Sequence, residues 1–182
     1  LIPELAESYE ASADAATWTF KLRKGVEFHN GKTMDADDVI ASINHHRGED
    51  SKSAAKGLLT PIKDIKKADK NTVVFELDSG SGDWPFIMSD YHLPILPNKD
   101  GKMDWQSEAG TGGYIIENYD PGVRFLAKKN PNYWKEGRGH FDSIENISII
   151  DTTARQNAAM NGDVDTIGRC DPQTVHLLER VD

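Results

Sequence analysis

Six histidines and thirty acidic residues in 182 invite a metal-centre or hydrolase reading, and their spacing argues against both. His45 and His46 are adjacent, so on a helix they point about 100° apart and do not readily share one metal. The HExxH signature of a metalloprotease helix is missing, as are the GxSxG nucleophile elbow and the phosphate-binding P-loop. Cys170 is the single cysteine; it can form no internal disulfide, and nothing in its surroundings marks it as an activated nucleophile. Asp37 and Asp38 resemble an acid pair, but they fall in the first turn of a predicted helix, where the helix dipole favours negative charge. His29 precedes a turn and is read as a hydrogen-bonding partner of the loop backbone. No cofactor, metal site or catalytic residue is assigned.

The formal net charge of −9, from 30 acidic and 21 basic residues, argues against nucleic-acid binding, which needs a basic footprint. It also gives no attraction to anionic lipid. No apolar run approaches the roughly 20 residues that span a bilayer. The length is enough for a sizeable core, in one domain or two small ones.

The residues that organise the chain run from Trp18 to Val39. Trp18, Phe20 and Leu22 alternate with Thr19, Lys21 and Arg23, the period of a half-buried strand. Val26 and Phe28 resume the alternation, and Asn30-Gly31 signals a turn. Asp35 stands at a helix N-cap position with Asp38 three residues on, an acidic capping box. Ala36, Val39, Ile40 and Ile43 then give the helix one apolar face.

Further along, residues 1–16 read as an entry segment and Ala54–Leu59 as a short helix. Residues 61–68 and Thr72–Leu77 read as a hairpin across Ala68-Asp69-Lys70-Asn71. Ser79-Gly80-Ser81-Gly82 reads as a flexible break. Asp83 is expected to cap a short helix over Trp84–Met88, and Leu93–Pro97 to be an edge strand or loop. After a polar, glycine-rich stretch with a boundary near 108–113, Tyr114–Tyr119 and Val123–Lys128 form two strands. The final segment reads as a strand at 144–150 and a helix over Ala154–Met160, capped by Thr152 or Thr153 and ended by Gly162. A strand from Val164 and a helix begun by Asp171-Pro172, with Val175, Leu178 and Val181 as its stripe, follow. That order is a βαβ-type unit and implies a parallel strand pair.

The segments PELAESY at Pro3–Tyr9 and TFKLRKGVEFHNGKTMDADDV at Thr19–Val39 carry a resemblance. So do GTGGY at Gly110–Tyr114, NPNYW at Asn130–Trp134 and GDVD at Gly162–Asp165. Together they resemble the family 5 extracytoplasmic solute-binding proteins of ABC importers for dipeptides, oligopeptides and nickel. Tyr9 and Gly113 stand where the family commonly has Trp and Pro. The resemblance implies an α/β fold of the type II-like periplasmic binding protein kind: a mixed-sheet smaller lobe at 1–108 and part of the larger lobe at 109–182. It also implies that the chain is an internal part of a longer, exported protein, periplasmic or lipid-anchored at the outer face of the membrane. The implied function is noncovalent capture of a peptide or other small solute for ABC permease subunits, without enzymatic activity. Half the cleft then lies outside the chain. Weak ligand binding and self-association through uncovered apolar surface are expected of the chain alone.

Such a receptor closes two lobes over its ligand, so ligand contacts are sought on loops at strand ends. One candidate stretch holds Trp84, Asp90, Tyr91 and His92, aromatics for contact area and polar groups for a charged end. The other is Gly168, Arg169, Cys170 and Asp171, at the carboxyl end of the expected strand from Val164. There the amides at a helix start, beside Arg169, would suit a carboxylate. In peptide-binding relatives the loop after G-x-V-D faces the cleft. Two readings from other classes are a hydrolase using His29 or His92 with aspartates, and an interaction module on the same fold.

Overall fold

Strands β1 (Ala6–Ala11) and β2 (Thr17–Leu22) form an antiparallel pair in which Tyr9 lies opposite Phe20 and Ala11 opposite Trp18. The computed structural model describes residues 1–180; Val181, assigned to the last apolar stripe, lies outside the described residues. Two compact units divide the chain, Leu1–Ile115 with Lys129–Asp142, and Ile116–Lys128 with the segment from Ser143 onward.

In the first unit β2 is central because its apolar side chains alternate. Trp18, Phe20 and Leu22 are buried while Lys21 is exposed. After β2 the chain folds back at Asn30-Gly31, where Gly31 takes φ +83° and the Asn30 side chain accepts from the Lys32 amide. Helix α1 (Ala36–His45) then starts on the expected capping box: Asp35 accepts from the Asp37 amide, and the Asp35 amide donates to Asp38. Strands β3 (Ile62–Asp69) and β4 (Thr72–Leu77) form the expected hairpin, and β4 pairs with β2 to give the sheet order β1-β2-β4-β3. Trp18 faces Phe75 and Phe20 faces Val73 across the ladder. One sheet face therefore packs with Val26, Phe28, Met34, Val39 and Ile43 into a continuous core. Each fully buried side chain of this size contributes about 1.5–3 kcal/mol.

β1, read from sequence as an entry run, is an edge strand. Its exposed outer side hides the alternation that marks β2. The Ser79–Gly82 stretch is not a flexible break either. The Ser81 amide donates to the Ala15 carbonyl at 3.0 Å, and the Trp18 indole donates to the carbonyls of Ala15 and Ser81 at 3.0 and 3.2 Å. The serines and glycines there follow the path of the turn that enters β2. Helix α2 (Trp84–Ile87) forms after Asp83, whose carbonyl rather than side chain accepts from the first turn.

The Leu93–Pro97 segment is a loop fastened to α1, since the Ser42 hydroxyl donates to the Leu96 carbonyl and accepts from the Leu96 amide. The polar stretch beyond it contains a small hairpin, β5 (Asn98–Lys99) with β6 (Lys102–Met103), and a 3-10 turn at Trp105–Ser107.

Strands β7 (Tyr114–Asp120) and β8 (Arg124–Lys129) turn at Asp120–Val123, and β9 (Ser143–Ile147) pairs antiparallel with β8 in the order β7-β8-β9. Helix α3 (Thr152–Met160) is capped by Asp151, not by Thr152 or Thr153, because the Asp151 carboxylate reaches the Ala154 amide at 2.7 Å. It ends on Gly162 at φ +74°, with the Gly162 and Asp163 amides donating to Ala159 and Ala158. That is the paired bonding of a Schellman C-cap.

The expected βαβ unit is not formed: residues 164–167 carry no strand. A strand exists only with a ladder partner, and these four residues, between Asp163 and Gly168, have none among the described residues. The expected helix from Asp171-Pro172 appears as a 3-10 helix at Val175–Arg180. Among the described residues of the second unit only Ala127 and Gln156 are buried.

His46 caps the C-terminus of α1 and is buried, with Nδ1 2.7 Å from the Ser53 hydroxyl and Nε2 buried without a partner. Burial, then the neighbouring charges of His45 and His92, hold its pKa below the ordinary histidine value. The folded state thus favours neutral His46. Stability is full above about pH 6.5 and falls as the pH drops from there through the lowered folded value. The expected slope is at most about 1.4 kcal/mol per pH unit. Urea midpoints at pH 7.5 and 5.5 check this, and His46→Gln should remove that part of the dependence.

Candidate functional site

The two candidate loops are built differently. The first leaves a four-residue helix, in which Trp84 and Phe86 lie about 200° apart, so only one of them can face inward. Trp84 does: it is 0% exposed, 5.7 Å centre to centre from Phe75, and its indole N–H is buried without an acceptor. Its assignment as a ligand contact is corrected accordingly, because its whole surface is covered by the core. Phe86 is 61% exposed instead.

Beyond it, the Asp90 carboxylate accepts from the His92 amide at 2.9 Å and lies 2.8 Å from His92 Nδ1. The bonds from His92 lower the Asp90 pKa, the backbone bond first. Tyr91 stacks on the His92 ring at 3.8 Å and is 85% exposed. The loop thus presents two uncovered aromatic rings beside an oriented imidazole–carboxylate pair. Those groups suit contact with an apolar side chain and a charged end of a small molecule.

In the second loop Arg169 adopts φ +56° and its side chain is exposed. A left-handed backbone costs a non-glycine residue about 1–2 kcal/mol, so the surrounding bonds must impose it. Gly168 is exposed and Cys170 is half-buried with a free thiol. The expected carboxylate cradle at Asp171 is already filled. The Asp171 side chain accepts from the Gln173 amide at 2.9 Å, and its carbonyl accepts from Thr174 and Val175 at 3.1 and 2.9 Å. With those amides engaged and an aspartate beside them, the cation available to an anionic group is Arg169.

His29, the other residue weighed for chemistry, is structural. Its Nε2 lies 3.0 Å from the Gly112 carbonyl and its amide donates to Gly110 at 2.9 Å. The Asn130 side chain shares the Gly112 carbonyl at 3.0 Å, the Asn130 amide donates to Gly113, and the Trp134 indole donates to Thr111 at 3.2 Å. All four carbonyls of Gly110–Gly113 are thereby tied by the other two motifs, which is why FHNG, GTGG and NPNYW occur together. Arg23 stacks over Trp134 at 4.9 Å. Among the described residues no cluster of three or more His, Cys, Asp or Glu could hold a metal ion. No described helix is long and apolar enough to cross a membrane.

Comparison with known proteins places these motifs. Residues 1–181 match the family described as bacterial extracellular solute-binding proteins, family 5 Middle. Di/tripeptide-binding protein 1 of Pseudomonas aeruginosa is 29% identical over 184 residues, covering 87% of this chain and 34% of that protein. The nickel-binding periplasmic protein of Escherichia coli is 30% identical over 179 residues, 92% of this chain and 33% of its own length.

Among solved structures, the periplasmic binding protein DppA of Helicobacter pylori with peptide STSA superposes with a TM-score of 0.82. At 24% identity over 98% of this chain and 40% of that one, it supports the fold. AgaA from Agrobacterium strain R10 with agropinic acid gives 0.75 at 31% identity, over 89% and 34% of the two chains. The chain spans about a third of the length of the curated relatives it matches. The α/β arrangement is that of a segment of the periplasmic binding proteins, and the chain belongs to the bacterial extracellular solute-binding proteins of family 5.

Proposed function

We propose that the full-length protein is the extracytoplasmic solute receptor of an ABC importer, taking up a peptide or a related small solute without covalent chemistry and handing it to a membrane permease. ATP hydrolysis belongs to other subunits. The observation that carries this reading is the family match over residues 1–181, strengthened by relatives named for binding di- and tripeptides or nickel. On this reading the protein works in the periplasm or lipid-anchored at the outer face of the membrane. Residues 1–108 are the smaller lobe on this reading and residues 109–182 part of the larger one. Asp90, Tyr91 and His92 contact ligand from one loop, and Gly168, Arg169, Cys170 and Asp171 from the other, with Arg169 as the anchor for an anionic group. The exposed rings and the exposed Arg169 support that assignment.

Native mass spectrometry of the full-length protein, purified without refolding, tests the function. A bound mass matching a ladder of short peptides supports it and names the ligand class. A bare mass, with no thermal shift from peptides, metals or sugars, would overturn it in favour of an interaction module.

A further inference from the structure

The geometry points to Arg155 as the positioning residue of the 168–174 loop, acting through the fork of its guanidinium. The inference rests on the reading that this loop faces ligand, and it assigns Arg155 no contact with ligand itself. Nη1 donates to the carbonyls of Ile149 and Ile150 at 2.8 and 2.7 Å; Nη2 donates to the Thr152 hydroxyl at 3.0 Å and to the Arg169 carbonyl at 3.4 Å. One planar cation thus ties the segment entering α3 to the residue with the left-handed backbone.

The next residue on the helix secures the far end of the loop. Gln156, buried, donates from Nε2 to the Thr174 hydroxyl at 2.6 Å and accepts from it at 2.9 Å. Asp171 closes the middle through the Gln173 and Thr174 amides. The loop is therefore held at both ends by consecutive α3 residues, and its one unusual backbone conformation sits at the residue whose carbonyl Arg155 holds. A guanidinium serves this purpose because it offers separate N–H groups in a rigid plane. A lysine ammonium is a point donor and cannot reach both the 149–150 carbonyls and Arg169. A preformed loop presents the Arg169 side chain without an ordering cost at the moment of binding.

Hydrogen exchange and affinity in the full-length protein test this together, with the dipeptide Ala-Ala as the probe. Arg155→Lys should speed exchange of the Gln173 and Thr174 amides, which donate to Asp171, at least tenfold and leave β7–β9 amides unchanged. It should also weaken Ala-Ala binding about tenfold, and have no further effect in an Arg169→Ala background, since its influence runs through Arg169. Arg155→Gln, which keeps N–H donors but cannot bridge both the 149–150 carbonyls and Arg169, should speed the same amides and provides the answer if Arg155→Lys does not fold. Unchanged loop exchange in Arg155→Lys, or in Arg155→Gln where that variant alone folds, overturns the inference. So does an equal loss of affinity from Arg155→Lys with and without Arg169. If Arg169→Ala leaves probe affinity unchanged, the ligand reading of the loop fails; if wild type does not bind Ala-Ala, a dipeptide is ruled out as ligand, and in either case the exchange result still decides the role of Arg155.

Discussion

Replacing Asp38 with alanine is expected to cost about 3–5 kcal/mol of stability, the range seen when one partner of a buried charged network is removed. Asp38 is 0% exposed, yet it is a carboxylate. It accepts from the Asp35 amide at 2.8 Å, from the Asn98 amide at 2.6 Å and from the Lys32 ammonium. Those donors come from the helix cap, the β5–β6 hairpin and the turn after β2, so one side chain joins three elements. Alanine leaves two amides without an acceptor, at about 1–3 kcal/mol each, and opens a space the size of a carboxylate. The Lys32 contribution is smaller, because its side chain is partly solvated. Asparagine should fall between wild type and alanine, since one of its two terminal groups must point a donor at a donor. Urea unfolding at pH 7.5 measures all three, and a loss below 1 kcal/mol for Asp38→Ala would show that the network does not hold the elements together.

Gly80→Ala should destabilise by about 1–3 kcal/mol, and Gly80→Val by more, because overpacking against a fixed neighbour must move backbone. A Cβ at Gly80 would lie 1.9 Å from the Asp14 carbonyl oxygen. Asp14 cannot retreat freely, for the adjoining Ala15 carbonyl accepts from the Ser81 amide and the Trp18 indole. The expected fall in Tm is about 2–4 °C per kcal/mol for a chain of this size. Gly82→Ala is the control: a Cβ there meets nothing within 4 Å, and its stability should stay within about 0.5 kcal/mol of wild type. Equal Tm values for the two alanine variants would mean that the Gly80 turn yields at no cost.

Local rules alone determined a good part of this protein. The period of two at Trp18–Leu22 and Thr72–Leu77, the turn at Asn30-Gly31, the Asp35–Asp38 capping box and the Gly162 helix stop all form as read. Each depends on residues within a few positions of one another, so the chain carries the information within a short window. The family was legible for a related reason: several motifs at fixed positions constrain more than any single one.

Tertiary structure decided the rest. β1 exists because β2 offers it a ladder, and residues 164–167, with no ladder partner among the described residues, form no strand. Trp84 went to the core and Phe86 outward because one short helix cannot bury both. Asp38 read as a helix-dipole charge until the amide of Asn98, 60 positions away, proved to share it. The same holds at the second candidate loop: which carbonyl Arg155 holds, 14 positions along the chain, depends on where separate segments meet. Hydrogen-bond partners distant in sequence leave no periodic signature, so only the folded chain reveals them.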